Sequence, residues 1–114
     1  GEAVNPDGIR NQIEGGIIQS LSWTTMEEVA FDTVHVTSRD WSGYPILRFS
    51  QVPDSIDVHV IDRPGQPFLG TGEASQGPTS AAIANAVADA TGVRLRELPL
   101  SHTRVRAALQ VQAM

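Results

Sequence analysis

The sequence predicts an α+β lobe: one helix, three to four strands in a mixed or antiparallel sheet, then a buried helix and a short C-terminal helix. Three observations predict it. Apolar residues recur at helical spacing at Ile9, Ile13, Ile17, Ile18 and Leu21. Residues 26–62 are rich in β-branched side chains, with period-two alternation clearest where Ile56, Val58 and Val60 oppose Asp57, His59 and Ile61. Residues 78–91 carry Ala81, Ala82, Ile83, Ala84, Ala86, Val87, Ala88 and Ala90, apolar on almost every face, which is the pattern of a buried helix.

Each element has its own justification. Asn5-Pro6-Asp7-Gly8 is turn chemistry, and Asn5 or Asp7 suits the cap of a helix running from Ile9 to about residue 22. Gly15 and Gly16 lie inside it, at a cost of roughly 1–2 kcal/mol relative to Ala. Two explanations stand open: close packing against another element, or the approach of a ligand with Gln12 one turn away. Met26 to Thr37 reads as one or two strands, with Phe31-Asp32-Thr33 as a turn or bulge. Residues 38–44 are a loop, Pro45 to Phe49 a short extended piece with Pro at its edge, and residues 51–55 a turn. Ile56 to Asp62 is the best strand. Residues 63–77, rich in Gly and Pro, receive no regular structure. The next helix starts near Pro78 and stops at Gly92, a residue suited to the left-handed position after a helix end. Ser101 caps a last helix, Thr103 to Val111.

Bulk composition excludes several function classes. The 114 residues suit one domain with a modest core. All eight basic residues are Arg, against 13 acids, for a net charge of −5. That opposes nucleic acid or anionic lipid as main partner, since both need a basic field. No apolar run approaches the ~20 residues of a membrane span. Zero Cys removes disulfides, thiolate ligands and a Cys nucleophile. His35, His59 and His102 lie far apart, without metal-ligand spacing.

The chemistry concentrates in Leu69 to Gly92. Gly70-Thr71-Gly72 presents one acid, Glu73, just before the apolar helix. A carboxylate between a flexible loop and a helix suits a general base, and partial burial would bring its pKa nearer neutrality. It equally suits a solvated loop acid. A phosphate-loop reading is weak, because the sixth position of a Gly-x-Gly-x-x-Gly pattern is Ser75 and the chain has no Lys. Ser75, Thr79 and Ser80 read as helix-start residues. A non-catalytic binding or assembly module with a Gly-rich ligand loop is the alternative from another class. A small nucleotide-binding domain is a further one.

Gly72-Glu73, Pro78, Ala81 through Asn85-Ala86-Val87, Ala90-Thr91-Gly92, Arg94, Arg96 and Leu98-Pro99 stand together in order. Upstream stand Val4-Asn5-Pro6, Gln12-Ile13-Glu14-Gly15-Gly16, Gln19-Ser20-Leu21 and Tyr44-Pro45-Ile46-Leu47-Arg48. This set resembles the C-terminal part of the molybdenum-cofactor-binding large subunit of the xanthine dehydrogenase / aldehyde oxidase superfamily, isoquinoline 1-oxidoreductase β-subunit type. The resemblance covers nearly the whole chain. It implies a single lobe belonging to a larger subunit, in keeping with a first residue that is Gly1 rather than Met. It also implies oxidative hydroxylation of an N-heterocycle or aldehyde, with water as oxygen source.

By the same resemblance Glu73 is the catalytic base. Gln12, of the Gln-x-Glu-Gly motif, and the backbone of Gly70, Thr71 and Gly72 lie beside the cofactor, with no direct metal ligand among them. The family often has Pro directly after this glutamate; Ala74 stands there, so that backbone position is not locked. The implied cofactor is a molybdenum–pterin in the full-length parent, with none expected on these 114 residues alone, which are expected to be inactive. The implied partners are the remainder of the large subunit, an iron–sulfur subunit or domain, and a small-molecule substrate. A bacterial-type enzyme of this kind is cytoplasmic or periplasmic; the sequence does not choose.

Overall fold

In a computed structural model, residues 1–112 form three α-helices joined by long irregular segments. Helix α1 spans Pro6–Thr25, α2 spans Gln76–Thr91 and α3 spans His102–Gln112; Phe49–Gln51 is a single 3₁₀ turn. The caps explain the boundaries. The Asn5 carboxamide oxygen accepts from the Gly8 amide at 2.9 Å, so α1 begins at Pro6, three residues ahead of the first apolar position. Gly92 takes a left-handed conformation (φ 73°) and its amide donates to the Ala88 carbonyl at 2.8 Å, ending α2 where expected. The Ser101 hydroxyl accepts from the Arg104 amide at 3.3 Å at the start of α3. The peptide bond between Leu98 and Pro99 is cis.

The expected α+β class is not what forms. Among the described residues there is no strand and no sheet, only one isolated antiparallel bridge between Phe31 and Val36. Residues 30–38 fold back on themselves instead. The Asp32 carboxylate accepts the amides of Val34 at 2.7 Å and His35 at 2.9 Å, making a tight turn, and those two bonds hold its pKa below the ordinary aspartate value. Ile56 to Ile61 does alternate: Ile56, Val58 and Val60 are half-buried while Asp57, His59 and Ile61 are exposed. Val58 and Val60 share a cleft with Ile9 and Ile13 of α1. The segment is extended but pairs with no other backbone among the described residues, and a strand exists only through a partner's hydrogen bonds.

The expected buried helix is also corrected. No residue of α2 is buried. One face packs on α1, while Ala81, Ala82, Asn85, Ala86 and Ala90 are exposed. Asn85 finds its partner in the Arg94 guanidinium, which donates to its side-chain oxygen at 2.7 Å. An all-apolar pattern states what a helix tolerates on each face; burial needs neighbours on each face, and among the described elements α1 is the one that packs extensively on α2.

The α1–α2 seam is polar and close. Buried on α1 are Gly16, Ser20, Ser22 and Thr24. The Ser80 hydroxyl on α2 sits between Ser20 Oγ at 3.1 Å, Thr24 Oγ1 at 2.6 Å and the donating Trp23 indole N–H at 3.2 Å. Ser20 Oγ also donates to the Gln76 carbonyl at 2.8 Å. Small hydroxyl side chains let the helices approach, and their mutual hydrogen bonds offset desolvation.

Candidate functional site

The site is built where the start of α1 meets the loop that precedes α2. Asn5, Gly8, Ile9 and Gln12 of the first α1 turns form one wall of a cleft of about 420 Å³; Phe68, Leu69, Gly70 and Thr71 form the other. Val4 and Glu2 complete the rim. Arg63-Pro64-Gly65-Gln66 delivers the chain into this loop through a turn closed by the Gln66 amide on the Arg63 carbonyl at 3.1 Å. Gly65 supplies the positive φ of 77° that this turn requires.

The structure brings together Gln12, Gly70, Thr71 and Gly72. The Gln12 side-chain amide donates to the Gly72 carbonyl at 3.4 Å, across 60 residues of sequence. Gly70 and Thr71 line the same cleft as Gln12. Glu73 follows directly but does not line the cleft. It is exposed, and its carboxylate has no hydrogen-bond or ion-pair partner among the described residues. The partial burial expected of it is therefore not supplied by this chain's own residues.

One residue that holds this arrangement, Ser75, reads from sequence only as a helix-start residue. Ser75 is buried and donates its hydroxyl to the Ile13 carbonyl at 3.0 Å, rather than capping α2. Gly16 lies against it, and a Cβ there would collide with the Ser75 hydroxyl. The close-packing explanation of the glycine pair therefore applies to Gly16, whereas Gly15 is exposed with open space beside it. Ser80 anchors the seam below. The adjacent glycines were the available signal, but their partner could not be read from them.

Chemically, the cleft has an apolar lining from Val4, Ile9, Phe68 and Leu69, with the carboxamides of Asn5 and Gln12, the Glu2 carboxylate and loop backbone beside it. Such a surface suits a small organic molecule with a few polar groups. Among the described residues no group of three His, Asp or Glu could hold a metal directly.

Comparison with known proteins identifies the setting. A molybdopterin cofactor-binding domain family matches residues 1–53, the part that contains Gln12 and all of α1. One chain of the nicotinate dehydrogenase of Pseudomonas putida is 51% identical over 109 residues, covering 96% of this chain and 9% of that protein. The β-subunit of isoquinoline 1-oxidoreductase from Brevundimonas diminuta is 39% identical over 100 residues, covering 88% of this chain and 12% of that protein. The crystal structure of quinoline 2-oxidoreductase from Pseudomonas putida superposes with a TM-score of 0.78 at 26% identity, over 94% of this chain and 14% of that one. The chain therefore spans about a tenth of the length of the curated relatives it matches. A cofactor-binding family match over α1, and relatives 39–51% identical that align with most of the chain, carry one conclusion: the chain belongs to the molybdenum-cofactor-binding xanthine dehydrogenase family of oxidoreductases.

Proposed function

We propose that this chain carries the catalytic-base loop of a molybdenum hydroxylase, with Glu73 as general base and Gln12, Gly70, Thr71 and Gly72 facing the cofactor. The observation that supports it most is the Gln12–Gly72 hydrogen bond, which joins the helix of the cofactor-binding match to the residue next to Glu73. When bound, the molybdenum–pterin supplies the two-electron redox chemistry of hydroxylation. The residues of this chain do the rest of the local work. A carboxylate oxygen of Glu73 takes the proton released as the water-derived oxygen becomes nucleophilic. The Gln12 carboxamide holds the Gly72 backbone and so limits where Glu73 can reach. Val4, Ile9, Phe68 and Leu69 give the cleft its apolar surface.

The substrate class is an N-heteroaromatic compound, on the strength of relatives named for nicotinate and isoquinoline. The chain has no Cys, so an iron–sulfur centre taking electrons from the reaction is held by a different subunit or domain. Membership of an enzyme family favours this reading over a non-catalytic ligand module. The test is Glu73→Gln in the molybdenum-loaded subunit that carries this sequence. Turnover is expected to fall at least ~10²-fold, the usual size of a general-base contribution. Near-normal turnover would remove Glu73 from the mechanism.

A further inference from the structure

Residue Ser75 stands where a helix-capping serine would. It precedes Gln76, the first residue of α2, yet its hydroxyl makes no bond to its own helix. A serine at a helix start ordinarily accepts from an amide of the first turn. Here the hydroxyl is turned onto α1, where it donates to the Ile13 carbonyl at 3.0 Å, and Ser75 is only 8% exposed. The opposing surface is Gly16, with no room for a Cβ. One residue before Ile13, Gln12 holds the Gly72 carbonyl at 3.4 Å. Two consecutive α1 residues thus grip loop residues 72 and 75, on either side of Glu73. The Glu73 carbonyl adds a turn by accepting the Gln76 amide at 3.3 Å.

We propose that Ser75, seated on Gly16, is a positioning residue that fixes the backbone of Glu73 relative to the cofactor-facing end of α1. The inference rests on the reading of Glu73 as base and adds a residue that acts only through it. Without the Ser75–Ile13 bond the loop is held on one side only, and Glu73, whose side chain has no partner among the described residues, samples a wider arc. A base displaced by about 1 Å loses rate without losing affinity for a substrate it does not bind.

The test compares Ser75→Ala with Ser80→Ala and Glu73→Gln in the molybdenum-loaded subunit. Ser80→Ala breaks hydroxyl contacts in the same seam but away from the loop, and so reports a merely structural loss. The expected result for Ser75→Ala is a fall in kcat of about tenfold with KM unchanged. Amide hydrogen exchange at residues 71–74 should be faster. Ser80→Ala is expected to lower Tm while leaving kcat and exchange at residues 71–74 as in the parent. Equal effects of the two alanine variants on kcat and on loop exchange would overturn the positioning role, as would an unchanged Ser75→Ala enzyme beside a crippled Glu73→Gln. Near-normal Glu73→Gln would instead sink the base assignment, and with it any role for Ser75 in aiming that base.

Discussion

At the scale of single residues, the adjacent glycines of α1 show how much a neighbour decides. Both are helix-interior residues with the same intrinsic cost. Gly15 faces open space, so Gly15→Ala should stabilise the protein by about 0.5–1 kcal/mol, the ordinary gain from removing a helical glycine. Gly16 faces the Ser75 hydroxyl, so Gly16→Ala should destabilise it by about 1–3 kcal/mol through overpacking. Thermal unfolding of the two variants checks this; shifts of the same sign would contradict the described packing. Of the residues that motif order singles out, Gln12, Gly70 and Thr71 line one cleft and Gly72 meets Gln12 through a hydrogen bond, whereas Glu73 stands outside that cleft. The clamp behind them was not, because a serine before a helix looks like a cap whether or not it caps.

At the scale of elements, helices were readable and strands were not. Helix ends are determined by local chemistry, and Asn5, Gly92 and Ser101 each act where their residue type suggests. Pairing of strands is non-local. The alternation of Ile56 to Ile61 is present, but the pattern does not contain the partner that would make it a strand. The mooring of α3 is likewise non-local. The Arg104 guanidinium bonds Glu28 at 2.6 Å and 3.1 Å, Glu97 at 3.2 Å and the Pro99 carbonyl at 3.3 Å, linking positions 76 residues apart. The hydrogen bond from Arg104 holds the Glu28 carboxyl below its ordinary value of 4.5 and raises the guanidinium's own pKa. A carboxyl whose pKa is lowered on folding stabilises the fold above its unfolded pKa, and that contribution is lost as pH falls through the lowered folded value. Acidification below pH 4.5 should therefore loosen α3. In amide exchange from about pH 6 to about pH 3, corrected for intrinsic rates, the parent should lose α3 protection, whereas Glu28→Gln should start with less and change less. An identical pH response in both would show that this ion pair does not hold α3.

At the scale of the whole molecule, the chain has almost no apolar core. Leu100 is the one buried hydrophobic residue among those described, whereas Phe31, Trp41, Phe49, Phe68 and Leu69 are each at least 70% exposed. The radius of gyration is 17.6 Å, against about 13 Å for a compact chain near this length. Apolar surface left this open marks a face that another structure covers, in keeping with a chain that spans about a tenth of its relatives. The 114 residues alone should bind a hydrophobic dye and melt over a broad range. A sharp transition without dye binding would contradict the open packing. The 114 residues alone are also expected to take up no molybdenum, since they span about a tenth of the relatives' length; stoichiometric metal by elemental analysis would overturn that. The sequence by itself determined the helices, the caps at Asn5, Gly92 and Ser101, and the family, because these depend on local chemistry and on motif order. Only the tertiary structure decided that the alternating segments remain unpaired, that α2 keeps an open face, and that Ser75 grips α1 rather than its own helix. Each of these depends on which distant backbone or side chain stands opposite, and no run of residues states that about itself.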